Sequence, residues 1–95
     1  MGEATALGAI VEEARLTLAL RRVFLFGSRA RGDARRDSDL DLAFDHGSPA
    51  PIWADFVNTM RERAPTLLDL DLVDLAQVTP ELRARILVEG RLVYG

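Results

Sequence analysis

Asp39 and Asp41 stand one residue apart in an apolar run, with Leu40 between them and Leu42 after, and Gly27-Ser28 precedes the pair by an interval of ten residues. Residues i and i+2 of a β-strand face the same way, so the two carboxylates project side by side while Leu40 and Leu42 point to the opposite face. Two ionised acids so close repel, and a cation or hydrogen-bond donors must compensate. Mg²⁺ suits the task, because it takes oxygen ligands and is commonly held by one or two carboxylates together with substrate phosphates. The chemistry composed here is metal-dependent handling of a nucleoside triphosphate.

The upstream segment supplies groups for the phosphates. Val23-Phe24-Leu25-Phe26 is a short continuous apolar run, read as a buried strand, and Gly27-Ser28 breaks it. Glycine lets a backbone approach a phosphate closely, and serine offers a hydroxyl and a helix N-cap. A short helix starting at Ser28 would turn its N–H groups toward the anion. Arg29, Arg31, Arg35 and Arg36 crowd the same loop. They either contact phosphate or form a solvated face paired with Asp33 and Asp37.

A third acid has several candidates in the run from Leu67 to Leu75, which reads as another strand. Asp69 and Asp71 share one face of it and Asp74 belongs to the other. Acids among so many leucines are costly to bury unpaired, so each either faces solvent at a sheet edge or meets a cation.

The run Gly27-Ser28-Arg29-Ala30-Arg31-Gly32, followed by Ser38-Asp39-Leu40-Asp41-Leu42, resembles the signature of the DNA polymerase β nucleotidyltransferase superfamily. In particular it is similar to the small prokaryotic minimal nucleotidyltransferases (MNT) that act as antitoxins in HEPN/MNT toxin–antitoxin pairs. The similarity continues through Asp71-Leu72-Val73-Asp74-Leu75 and from Thr79 to Tyr94, nearly the whole chain. The resemblance implies an α/β nucleotidyltransferase fold, a small mixed sheet layered with three to four helices and presenting its carboxylates at one edge of a cleft. It makes Gly27 and Ser28 the phosphate-binding turn, with Arg29, Arg31 and Ser38 as further nucleotide contacts. Asp39 and Asp41 become ligands for Mg²⁺, two ions in the family pattern, and Asp71 becomes the third metal-binding and catalytic carboxylate. Asp69, two residues away on the same face, would take that place if the strand register were offset. Asp69 and Asp74 are otherwise expected to face solvent.

The resemblance further implies ATP as substrate, a HEPN ribonuclease toxin as partner, and transfer of AMP to a hydroxyl of that toxin, expected to be a tyrosine hydroxyl. Two alternatives stand beside it: an antitoxin that masks the toxin by contact alone, and a small-molecule nucleotidyltransferase of the aminoglycoside-modifying kind. Larger members of the superfamily carry a second domain for the acceptor. The length of 95 residues is read as one domain, residues 1–95, without that second domain. The acceptor expected is therefore a macromolecule with its own docking surface.

Composition narrows the partners. The hydrophobic fraction of 48% and charged fraction of 28% are those of a globular domain. A net charge of −3 and a pI near 5.0 argue against general nucleic-acid binding, which needs a basic surface. All twelve basic residues are arginine, which we read as compositional bias. Without cysteine, disulfides and thiolate metal sites are excluded. No apolar stretch approaches the ~20 residues that span a bilayer, and the start lacks the features of a signal peptide. A cytoplasmic location is expected.

The remaining segments must hold these groups in place. Leu7, Ile10, Val11, Ala14 and Leu18 recur at helical spacing before the first strand, as do Trp53, Phe56, Val57, Met60 and Ala64 after Pro51. Pro65 would stop that second helix. Thr79 reads as the N-cap of a last helix with Pro80 at its first position, Leu82, Ile86 and Leu87 facing inward and Gly90 ending it. Leu92-Val93-Tyr94 suits a short terminal strand. His46, in Asp45-His46-Gly47-Ser48-Pro49, is expected in a turn. Ile52, Trp53 and Phe56 cannot all face one way, which leaves a homo- or hetero-oligomeric contact open.

Overall fold

The computed structural model describes residues 3–35, 39–63 and 69–95. Helix α1 (Glu3–Thr17) leads into strand β1 (Leu20–Phe26), a single helical turn α2 (Ser28–Arg31) and strand β2 (Leu40–His46). Helix α3 (Ala50–Arg63), strand β3 (Leu70–Asp74), helix α4 (Pro80–Glu89) and strand β4 (Arg91–Tyr94) follow. The sheet order is β3-β2-β1-β4. β1 runs antiparallel to both β2 and β4, whereas β2 and β3 are parallel. That parallel pair requires a crossover, and α3 provides it.

Alternation along the strands divides the sheet into two faces. Leu40, Leu42 and Phe44 of β2, with Val23 and Leu25 of β1, are buried against Ile10, Ala14 and Leu18 from the α1 region and Phe56 and Met60 of α3. Phe44 anchors this side, its ring 5.3 Å from those of both Trp53 and Phe56. A side chain of this size contributes roughly 1.5–3 kcal/mol when fully buried. Phe24 and Ala43 on the other face pack with Leu75 and with Ile86 of α4. The mixed sheet and helical layers agree with the expected nucleotidyltransferase architecture.

The local signals for α4 operate as read. Thr79 caps the helix, its side chain accepting from the Leu82 N–H at 3.2 Å, and Pro80 occupies the first turn. Gly90 closes it by donating its N–H to the Ile86 carbonyl at 2.8 Å, and a Cβ at this position would collide with that same oxygen. Leu87, expected to face inward, is instead 42% exposed. Helical rotation directs Ile86, the adjacent residue, into the core. Of the three large residues near the start of α3, Phe56 is buried, Trp53 half-buried and Ile52 exposed. Ala64, Pro65, Leu67 and Leu68 lie outside the described residues.

Two expectations require correction. His46 is not a turn residue but the last residue of β2, with a side chain only 3% exposed. Its ring stacks on Trp53 at 5.0 Å and 16°. Asp74 does not face solvent. It lies on the α1/α3 face, where its carboxylate stands 3.1 Å from His46 Nε2, in a contact that is not aligned as a hydrogen bond. His46 Nδ1 accepts from the Ser48 N–H at 3.1 Å. The acid thus lies beside the imidazole without a hydrogen bond to it, while its other oxygen accepts from the Ala76 N–H at 3.0 Å. Among the described residues no helix is long and apolar enough to cross a membrane.

Candidate functional site

At the end of β1, Phe26 pairs with Asp41 of β2. Gly27 follows at φ +72°, a conformation that side-chain-bearing residues rarely adopt. Its position is constrained sterically as well, since a Cβ would strike Oδ2 of Asp41. The bare backbone at this point therefore lies directly against the carboxylate. The Ala30 and Arg31 N–H groups return to the Gly27 carbonyl, each at 3.2 Å, and Gly32, at φ +82°, ends the turn. Ser28 begins this turn but does not cap it. Gly27 is the N-cap residue, without a side-chain hydrogen bond, so the capping role expected of Ser28 gives way to a position one residue inside.

The parallel register of β2 and β3 places Asp41 directly opposite Asp71. Both follow the alternation of Ala43 and Val73, so their side chains rise from the α4 face of the sheet. Asp39 lies just before β2 and is exposed, as is Asp71, whereas Asp41 is half-buried. Burial, repulsion from Asp71 and then Asp39, and a hydrogen bond shared with Asp71 push the Asp41 carboxyl up to about 6, against a smaller opposing pull from the Arg31 guanidinium. Asp69 precedes β3, is exposed, and uses its backbone carbonyl to accept from the Leu40 N–H at 2.9 Å. Its carboxylate is not among the groups acting on Asp41.

Three carboxylates interacting through Asp41 constitute a hard oxygen donor set, and the elevated Asp41 carboxyl marks a negative charge that the protein itself leaves undercompensated. Both properties fit a divalent cation such as Mg²⁺. Among the described residues no three acidic, histidine or cysteine side chains stand close enough together to hold a metal ion by themselves. Mg²⁺ ordinarily completes its shell with water and substrate phosphate, so a partial protein shell is what this ion needs.

Arg31 is exposed and pairs with Asp33 at 3.3 Å. Arg29 is half-buried on the same turn. Ser38, along with Arg36 and Asp37, lies outside the described residues. Sequence reasoning did not include α4 in the site, yet a cavity of about 140 Å³ joins the two, lined by Phe26, Gly27 and Arg31 on one side and Leu82, Arg85, Ile86 and Glu89 of α4 on the other. The available signal was helical spacing, since Arg85 lies three residues after Leu82 and beside Ile86, the two residues that pack on the sheet.

The family described as Polymerase beta, Nucleotidyltransferase matches residues 9–95. The protein adenylyltransferase MntA of Shewanella oneidensis is 28% identical over 76 residues, which cover 80% of this chain and 55% of that protein. The chain thus spans little more than half the length of this relative. A toxin–antitoxin structure with AMP-PNP aligns with a TM-score of 0.75 at 24% identity, over 93% of this chain and 72% of the other. The structure of a tri-AMPylated Shewanella oneidensis HEPN toxin in complex with its MNT antitoxin aligns with a TM-score of 0.73 at 20% identity, over 99% of this chain and 73% of the other.

Proposed function

Because the chain belongs to the polymerase β nucleotidyltransferase family, we propose that it transfers AMP from ATP to a hydroxyl, most simply a tyrosine hydroxyl, of a HEPN toxin, and thereby serves as the antitoxin. Residues 1–95 act in this reading as one minimal domain working in the cytoplasm. The observation that carries it is the meeting of Asp41 with Asp71 across the β2–β3 register, beside a glycine that leaves no room for a side chain. Likeness to an adenylyltransferase and to the toxin complexes supports the choice of AMP and of partner.

Asp39, Asp41 and Asp71 would hold the Mg²⁺ ions. When bound, these ions supply charge stabilisation at the attacking and leaving oxygens. The chain's own groups do the positioning. Gly27 lets the phosphate chain approach the backbone, with Ser28 and Ser38 as hydroxyl contacts. Arg29 and Arg31 offer guanidinium donors matched to phosphate oxygens. Asp71 accepts the proton of the acceptor hydroxyl as its oxygen bonds to the α-phosphorus. The bond from that phosphorus to the bridging oxygen breaks, and pyrophosphate leaves. Holding the reactants in line and fixing charges around them are the main demands of such a transfer.

The test is the intact mass of a HEPN partner after incubation with this protein, ATP and Mg²⁺. Wild type should add whole AMP units, whereas the Asp39→Asn/Asp41→Asn double variant and Asp71→Asn should add none and Asp69→Asn should remain active. A stable complex with no mass increase would replace this reading by neutralisation through contact alone. Activity retained in Asp71→Asn but lost in Asp69→Asn would move the third acid by two residues.

A further inference from the structure

The cavity between α2 and α4 has an apolar floor of Phe26, Leu82 and Ile86, and guanidinium groups from two elements at its walls, Arg31 and Arg85. It opens beside Gly27, whose Cα lies against the Asp41 carboxylate. A triphosphate with its α-phosphate at the acids and its chain along the Gly27 backbone is therefore brought to this cavity. Arg31 already has a carboxylate partner in Asp33. Arg83, on the same helix, spends a donor on the Leu75 carbonyl at 3.1 Å. Arg85 differs from both, since among the described residues it makes no hydrogen bond or ion pair. Glu89 lines the same cavity one helical turn along, at the i+4 spacing that favours pairing, but the two do not pair.

We propose that Arg85 is a further nucleotide-binding residue, which together with Arg31 grips the β- and γ-phosphates and so receives the pyrophosphate leaving group. This rests on the nucleotidyl-transfer reading and extends it to a residue on α4. Arginine suits the role because its planar fork meets two phosphate oxygens at once, which lysine cannot reproduce. As the bond between the α-phosphorus and the bridging oxygen breaks, its electron pair passes to the departing pyrophosphate. A guanidinium at that end counters the charge gained.

Calorimetric titration with ATP, AMP and inorganic pyrophosphate, each with Mg²⁺, tests this on the wild type, Arg85→Ala and Arg85→Lys, alongside steady-state transfer to the HEPN partner. Loss of one charge-assisted contact should weaken ATP and pyrophosphate about tenfold in Arg85→Ala. AMP, which lacks the distal phosphates, should bind as in wild type, and Arg85→Lys should recover part of the loss. Unchanged ATP affinity in Arg85→Ala, in a wild type that transfers AMP, overturns this inference and leaves the reaction standing. Equal losses for ATP and AMP overturn it too, as does a raised KM for the acceptor alone, which would give the cavity to the toxin. A wild type that binds neither ATP nor pyrophosphate overturns the reaction and the inference together.

Discussion

Replacing Asp41 with Asn in the metal-free protein should raise its stability at neutral pH. The Asp41 carboxyl is lifted from 3.8 to about 6, so between these values the folded protein holds a proton that the unfolded chain releases. Stability contributed by this group is then present below about pH 4 and is lost as pH rises through about 6. A shift of this size corresponds to roughly 3 kcal/mol if wholly expressed. The carboxyl is only half-buried, and solvent screening reduces the expected gain to about 1 kcal/mol. In a chain of this size that is a rise in Tm of about 5 °C. Thermal unfolding of wild type and variant in EDTA, followed from pH 4 to 8, measures it. The remaining carboxyls are common to both proteins, including Asp45, where burial acts upward but hydrogen bonds from Arg22 and Arg21 hold the carboxyl low. The informative quantity is therefore the difference between the two proteins, near zero at pH 4 and growing to a plateau above pH 6. Adding Mg²⁺ should stabilise the wild type and not the variant. A difference that does not change with pH, or a variant less stable than wild type at pH 8 in EDTA, refutes the electrostatic account of the site.

Gly27→Ala should cost about 1–3 kcal/mol for its backbone conformation alone. Its methyl group also displaces the Asp41 carboxylate, so the Mg²⁺-dependent rise in Tm should disappear with it, and survival of that rise would contradict the close approach described. His46→Ala removes the imidazole that stands 3.1 Å from Asp74 and is stacked on Trp53, leaving Asp74 the Ala76 N–H. Chemical denaturation should show a loss of about 2 kcal/mol, while AMP transfer at a temperature where the variant remains folded should be unchanged, because this cluster lies on the opposite face of the sheet from Asp41. A transfer defect in the folded variant would link the two faces.

The elements that sequence periodicity revealed are those whose partners lie along the chain itself. Helix α1 showed its stripe from Leu7 to Leu18, and the Thr79-Pro80 start of α4 was readable from adjacent residues. Strand ends were less legible where charges pair across strands. β1 begins at Leu20, before the apolar run, because the Arg22 guanidinium meets the Asp45 carboxylate of β2 at 2.9 Å, and the same pairing carries β2 on to His46. Neither residue alone signals a strand, and the contact spans 23 positions. The site divides in the same way. Asp39, Asp41 and Gly27 form a local pattern, whereas the choice of Asp71 over Asp69 depends on the register of a parallel pair, and Arg85 reaches the site only through the docking of α4.

The parallel ladder that seats Asp71 beside Asp41 has a consequence for how such a chain can change over time. Insertions and deletions in the crossover alter the length of a connection, and entropy charges them little. A single-residue slip of β3 against β2 is another matter, since it would turn Asp71 to the opposite face and set a leucine beside Asp41. Variation in this lineage should therefore be broad between β2 and β3 in length, yet narrow in where the third acid falls within its strand. Alignments anchored on strand register, rather than on the number of residues between the acids, will identify that acid in distant relatives.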